Sequence, residues 1–330
     1  MKSKLYFFPF LFIFLFTLLY TTIFHRDDSL TVQADLDTNE LLYTPLEHDN
    51  KTLHVYYFYL EHHQKSGSSM LIYTPDGYTM LIDAGIQDSS TLLSGYLHHL
   101  GIEKIDMALA THPHHDHIGG YLRLLDEVEI KQFFMPNVNY ISEIYREWIE
   151  KMEENSIPYE YLYANQSFTL GNYVTIHVLN PSEYHLQTLK GSYSISDINN
   201  QSLVLKMNYK NHSFLFTGDI YDEQEEKLIE SYGDQLKATV LEAPHHGGGT
   251  SSSTHFIRKV SPEYAVMNAN ILQSLYVLRR YELLGVSVLP TDIYGTVHLQ
   301  TDGENLKIMT EFNHPPTKKS AKSAELINSI

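Results

Sequence analysis

The sequence predicts an α/β fold in one domain, with two layers of β-sheet sandwiched between helices. Three observations carry that expectation. Short apolar runs rich in β-branched and aromatic residues alternate with longer amphipathic segments. The second half of the chain repeats the plan of the first, each half sending apolar strands into turns that bear histidine or aspartate. No repeat with a period of about 20–50 residues is apparent, so a solenoid or propeller is not expected.

The elements follow in order. Residues 53–60 have strand composition. Strands over 70–74 and 78–83 are joined by Pro75-Asp76-Gly77, which reads as a turn. A helix over 89–100 ends at Gly101. A short buried strand over 105–110 feeds a histidine-rich segment, and a helix starts at Gly120. A strand is expected over 128–135 and an amphipathic helix over 141–155. In the second half, strands over 174–179, 202–209 and 213–216 precede a helix over 222–232. A strand over 238–241 leads into Glu242-Ala-Pro-His-His-Gly-Gly-Gly249. A strand over 263–267, a helix over 274–284 and strands over 286–289, 296–300 and 305–310 complete the plan.

Composition sets the outer limits. The 330 residues are 43% hydrophobic, enough for a sizeable core. The formal charge of -17 repels nucleic acid at long range. The charge therefore argues against a protein that coats DNA tightly, and no stable nucleic-acid partner is expected, whereas an enzyme that handles phosphodiesters through metal ions is not excluded. With no cysteine, disulfides and thiolate ligands are impossible, so any metal site must draw on His, Asp, Glu and Asn.

Residues 1–25 read as a signal anchor or a signal peptide. Lys2 and Lys4 precede an apolar run over 5–24 that no charge interrupts, about the thickness of a bilayer core. A tolerable cleavage site near Val32-Gln33-Ala34 lies well beyond that run, which favours an uncleaved, single-pass anchor with the body outside the cell; cleavage would make the protein secreted. Residues 26–50 read as a polar, acidic linker, 51–312 as the folded domain, and 313–330 as a disordered tail.

The chemistry concentrates in Thr111-His-Pro-His-His-Asp-His-Ile-Gly-Gly120. His112, His114, Asp116 and His117 are four ligand-type side chains directly after an apolar strand. Such a turn can aim His112 and His114 at one metal and Asp116 and His117 at another, with imidazole and carboxylate suiting zinc, or manganese or iron. Gly119 and Gly120 let the backbone pass close behind the site. Asp83 ends a strand and can serve as a ligand or orient a ligand histidine. Asp219, in Thr217-Gly-Asp219, can bridge two cations. Of His245 and His246, one can close the second metal's shell while the other touches substrate or protonates a leaving group, since adjacent residues usually point apart. Spacing does not separate them. The segment 247–253 is suited to meet an anionic group through backbone N–H.

Taken together, Leu-Ile-Asp83-Ala-Gly, Thr-His112-Pro-His114-His-Asp116-His117-Ile-Gly-Gly, Thr-Gly-Asp219 and Pro-His245-His246-Gly resemble the metallo-β-lactamase superfamily over about 52–310. Asn199-Asn-Gln-Ser-Leu-Val-Leu205, His-His-Gly-Gly-Gly-Thr-Ser251 and Val288-Leu-Pro-Thr-Asp-Ile-Tyr-Gly295 are similar to the hydrolase domain of ComEC-type competence proteins. The resemblance implies a four-layered αβ/βα sandwich and a hydrolytic centre of two divalent metal ions, zinc or manganese. It implies His112 and His114 on the first metal, and Asp116, His117 and one of His245 and His246 on the second. Asp219 would bridge the two metals, and Asp83 would support them. Asp116, His245 and His246 are then the candidate catalytic residues.

The chain departs from the pattern twice. ComEC-like domains often carry an acid where this chain has His114. The superfamily commonly supplies a further histidine before the bridging aspartate, and His177, His185 and His212 sit in no convincing motif there. The Asn199-Asn200 segment occupies the comparable place, with Asn200 as the supporting candidate, so the first metal is short of one imidazole. The expected activity is hydrolysis of a phosphodiester, either single-stranded DNA or a cell-envelope polymer such as a teichoic acid or its choline decorations. β-Lactam hydrolysis and a catalytically degenerate binding module are the competing expectations.

Overall fold

The computed structural model describes residues 42–61, 67–138, 140–183 and 194–312. The expected anchor over 1–25, the linker as far as residue 41, His185 and the tail over 313–330 lie outside the described residues. Among those described, no helix is long and apolar enough to cross a membrane.

The strands of the first half are β1 (Leu53–Tyr57), β2 (Met70–Tyr73), β3 (Thr79–Ile82), β4 (Lys104–Ile105), β5 (Met107–Leu109), β6 (Glu129–Ile130), β7 (Phe133–Met135) and β8 (Tyr159–Tyr161). Those of the second half are β9 (Ser167–Leu170), β10 (Val174–Asn180), β11 (Val204–Tyr209), β12 (His212–Phe216), β13 (Val240–Glu242), β14 (Tyr264–Met267), β15 (Ser287–Pro290), β16 (Val297–Thr301) and β17 (Leu306–Thr310). They form an eight-stranded sheet, β17-β16-β1-β2-β3-β5-β7-β8, and a seven-stranded sheet, β15-β14-β13-β12-β11-β10-β9. The short β4 and β6 pair with each other.

The two sheets change direction in the same way. Strands β1 to β3 are antiparallel, and from β3 onward β5, β7 and β8 run parallel. In the other sheet β9 to β12 are antiparallel, and β12 to β15 run parallel. Every candidate ligand follows the C-terminal end of one of the two strands at each change: β3 and β5 in the first sheet, β12 and β13 in the second. In open α/β sheets such ends are where crevices form.

Period-two alternation builds the layers. Leu53, Val55 and Tyr57 of β1 face the seam between the sheets, together with Leu205, Met207, Phe214 and Phe216 of β11 and β12. Tyr56, Leu71 and Leu81 point the other way and are covered by α1 (Ser90–His99), α3 (Tyr121–Glu127) and α4 (Glu143–Glu154) through Leu97, Leu124 and Trp148. Between α1 and α3 lies the single turn α2 (His115–Ile118), which carries Asp116 and His117. After α5 (Ile195–Asn200), the helices α6 (Asp222–Tyr232), α7 (Thr254–Val260) and α8 (Leu275–Leu283) cover the second sheet. Leu228, Phe256 and Val277 pack there on Leu215 and Leu241. A last turn, α9, spans Thr291–Tyr294. The order is helix, sheet, sheet, helix, as the resemblance implies.

Two expected strands are interrupted. Asp106 divides 105–110 because its buried carboxylate accepts from Thr79 N at 3.0 Å and from Lys131 Nζ at 2.8 Å. Those contacts also separate β6 from β7, where one strand over 128–135 was expected. The end of the expected linker is already packed: Leu42 is buried, and Tyr43 stacks on Tyr96 at 4.9 Å and donates to Thr296 Oγ1.

Candidate metal centre

Asp83 stands just past β3 with φ at +58°, a left-handed conformation that L-residues adopt at a cost of about 1–2 kcal/mol. The turn aims the carboxylate into the site. Its Oδ1 accepts from Thr111 N at 2.7 Å, and its Oδ2 accepts from Thr111 Oγ1 at 2.8 Å and from His117 Nδ1 at 2.7 Å. Asp83 therefore acts on a neighbour: it holds His117 Nδ1 and turns Nε2 toward the site. Burial opposes ionisation of the ring, but Asp219 and Asp83 raise it well above its ordinary pKa, so that a cation would displace a proton from Nε2.

Gly119 and Gly120 have ordinary helical φ values, so they matter for space rather than for unusual torsion. A Cβ on Gly120 would lie 2.0 Å from Ala84 O, and one on Gly119 would lie 2.6 Å from Gln87 N. Only glycine lets α2 sit this close behind β3.

Asp219 follows β12 and is the hub. His117 Nε2 lies 3.4 Å from its Oδ1, while His246 Nε2, His112 Nε2 and His245 Nε2 lie 3.6, 3.8 and 3.8 Å from its Oδ2. Asp116 Oδ2 is 3.7 Å from His246 Nε2. Two overlapping triads result, His112–His117–Asp219 and Asp116–His117–His246, each with its donor atoms within 4.8 Å of one another. His114 approaches from the side, its Nδ1 3.1 Å from His112 Nε2 and its ring 5.3 Å from that of Tyr140. His115 points to solvent.

These residues suit a metal. His117 Nε2 and His246 Nε2 are buried polar atoms with no hydrogen-bond partner, although the other nitrogen of each ring is well bonded. Orphaned buried nitrogens facing two carboxylates are what a cation would satisfy. The charge balance agrees. Burial opposes ionisation of Asp219, but His246, His117 and His112 outweigh it and hold the carboxyl well below the usual range. Burial likewise opposes protonation of His246, yet Asp219 and Asp116 push it up to about 9. In the cation-free chain a proton thus occupies ground that a metal would claim.

Behind the ligands is a network absent from the expected site. Glu242, at the end of β13, accepts from Thr217 N at 2.9 Å and Gly218 N at 3.3 Å, and its other oxygen takes Ser68 Oγ at 3.3 Å. Asn268 donates to Ser68 Oγ, while its backbone oxygen takes His246 Nδ1 at 2.8 Å. Ser68 N donates to Asp116 O. One buried acid thereby braces three ligand-bearing turns. Burial, reinforced by the charge of Asp83, pushes Glu242 up to about 7.

Asn200 accepts from Tyr221 N at 2.8 Å through its Oδ1 and so shapes the turn after Asp219. The loop over 247–253 is not open to an anion at Ser252 and Ser253, whose N–H groups are taken by the buried carboxylate of Glu225. Of the other histidines considered, His177 pairs with Ser167 and His212 with Thr301, both away from the site.

A family model described as the metallo-beta-lactamase superfamily matches residues 64–267. The chain belongs to the metallo-β-lactamase superfamily. Members of this superfamily are typically hydrolases. Among curated proteins, it is 28% identical to ComE operon protein 3 of Bacillus subtilis (strain 168) over 203 residues, 60% of this chain and 25% of that one. It is 25% identical to competence protein ComA of Neisseria gonorrhoeae over 236 residues, 70% of this chain and 30% of that one. The uncharacterized protein YcaI of Escherichia coli (strain K12) is 36% identical over 120 residues, 34% of this chain and 16% of that one. The matches thus span less than a third of each relative's length. The crystal structure of the metallo-beta-lactamase fold protein YhfI from Bacillus subtilis aligns at a TM-score of 0.51 and 14% identity, covering 76% of this chain and all of that one, which bears out the fold.

Proposed function

We propose that this metallo-β-lactamase superfamily member is a two-cation phosphodiesterase, acting on a phosphodiester polymer outside the cytoplasmic membrane and held there by its N-terminal segment. The observation that carries the reading is Asp219, one buried carboxylate faced by four imidazoles with Asp116 beside them. Two divalent cations, zinc or manganese, would supply Lewis acidity toward the phosphoryl oxygens and an acidified water. Asp219 would lie between them, with His112 and His114 on one side and Asp116, His117 and His246 on the other. Burial disfavours the charge on Asp116, but its contact with His246 and the proximity of His117 hold the carboxyl well below its ordinary value. It is therefore ionised and suited to hold a cation, while its weak basicity leaves deprotonation of the attacking water to the acidifying effect of the cations. Tyr140 beside His114 and Tyr221 beside His245 offer aromatic faces for bases or sugars.

Single-stranded DNA is the first substrate of this reading, drawn from the ComEC-like segments of the sequence and in keeping with the similarity to two competence-related proteins. A second reading, an envelope polymer such as a teichoic acid, draws on the charge of -17, which disfavours a long DNA track. The test is to load the full chain with Zn²⁺ or Mn²⁺ and offer bis(p-nitrophenyl) phosphate, single-stranded DNA, teichoic acid and a β-lactam. Cation-dependent cleavage of a phosphodiester that disappears in Asp219→Ala is expected. Turnover that survives that substitution, or hydrolysis of the β-lactam alone, overturns the reading.

A further inference from the structure

The first cation has only two imidazoles in the histidine turn, and Asn200, in the comparable place of the third, gives its Oδ1 to Tyr221 N. Neighbouring geometry supplies a replacement. His245 and His246 are consecutive residues and both are left-handed, with φ, ψ of 52°, 49° and 55°, 20°. Neither is glycine, so each conformation is strained. In a strand or an ordinary turn, adjacent side chains diverge. Here the double left-handed turn swings both rings toward the same carboxylate, with Nε2 atoms 3.8 and 3.6 Å from Asp219 Oδ2.

The two rings nevertheless serve different neighbours. His246 is buried, and its Nε2 also faces Asp116 as part of the triad with His117. The His245 ring centroid is 6.1 Å from that of His246 and lies against Tyr221, the residue whose N–H is held by Asn200. Its Nδ1 is 2.6 Å from Thr250 Oγ1, which leaves Nε2 to face inward. His112 and His245 reach the same oxygen of Asp219 at the same distance, 3.8 Å.

We propose that His245 and His246 are both metal ligands, one for each cation, and that His245 completes the first cation's shell with His112, His114 and Asp219. The assignment rests on the two-cation reading above. It removes His245 from consideration as a leaving-group acid and explains why two adjacent residues are held in a strained conformation.

The test counts cations rather than turnover. The full chain is stripped with a chelator and titrated with Co²⁺, following calorimetric stoichiometry and the visible absorption bands. Glycine adopts left-handed torsions without penalty and asparagine tolerates them, so His245→Gly and His246→Asn keep the turn. The wild type should bind two Co²⁺. His245→Gly should keep one at full affinity and weaken the other by at least about 100-fold, the upper end of what removing even an outer-sphere partner costs. Pairing distinguishes the sites. His112→Asn with His245→Gly should still hold one cation, because both changes strike the same site, whereas His245→Gly with His246→Asn should hold neither at wild-type affinity. Two cations bound at unchanged affinity by His245→Gly overturn the assignment while leaving the two-cation reading intact. The reverse pairing result, with His245 and His246 acting as one site, also overturns it. A wild-type chain that binds a single cation overturns both.

Discussion

On one side of Asp219, His117 and His246 give their Nδ1 atoms to a carboxylate and to a main-chain carbonyl, and both rings are buried. On the other side, the Thr111 hydroxyl beside the buried His112 Nδ1 is already committed to Asp83, but His245 rests its Nδ1 on the hydroxyl of Thr250, and His114 and His245 are only partly covered. An anionic or carbonyl acceptor fixes the tautomer and raises the basicity of the ring, whereas a hydroxyl can donate as readily as accept. The inner half of the site is therefore preorganised and the outer half adjustable. On the two-cation reading proposed above, the inner cation should bind first and leave last, with the outer one closer to substrate and exchange.

The largest effect should come from removing what the halves share. Asp219→Ala is expected to lower phosphodiester turnover by about 10³-fold or more and to weaken both cations, read by kinetics and by metal analysis. Equal loss at both sites supports the hub; retention of one tight cation separates the halves. Asp83→Asn strikes the inner half through His117. About 10–100-fold weaker binding is expected there, with a smaller change outside, measured by competitive chelation. A larger loss at the outer cation would invert the comparison.

Glu242 tests the bracing of the inner half through pH. Its folded pKa of about 7 lies above the ordinary 4.5, so burial favours the protonated form. Its contribution is complete below about pH 4.5 and is lost as pH rises to about 7. In cation-free protein, Glu242→Gln should remove a fall in stability of ~3 kcal/mol across that window, read by urea unfolding at several pH values. An unchanged slope would show that Glu242 is not held neutral by burial. The smallest effect is expected from Thr250→Val, which frees His245 Nδ1. The outer cation should weaken by about 2–10-fold, the worth of one hydrogen bond, with the inner one unaffected.

The sequence made the donors legible and left their supports hidden. His112, His114, Asp116 and His117 follow an apolar strand at close spacing, and Asp219 and His245-His246 end strands in the same manner. Asp83 was visible for that reason too, although its effect on His117 required the structure. Ser68, Glu242 and Asn268 gave no signal, because they are not clustered and act through backbone amides and carbonyls brought together from distant turns. The His245-His246 ambiguity came from the assumption that adjacent side chains diverge, which two left-handed residues defeat. The same contrast holds for the fold. Alternating β1 and amphipathic α4 are plain in sequence, whereas the mostly exposed edge strand β8 and the one-turn α2 depend on tertiary pairing.

The ligands come from both sheets, with His117 and His246 more than a hundred residues apart in sequence. A cation gripped by both is a staple across the seam, closing a loop whose entropy would otherwise oppose docking of the two halves. During synthesis the histidine turn emerges long before its partners. Until β13 and the turn after it are in place, the first half can offer a metal only a loose, open hand of imidazoles. On the two-cation reading, tight metal binding would therefore report that both halves of the fold are in place.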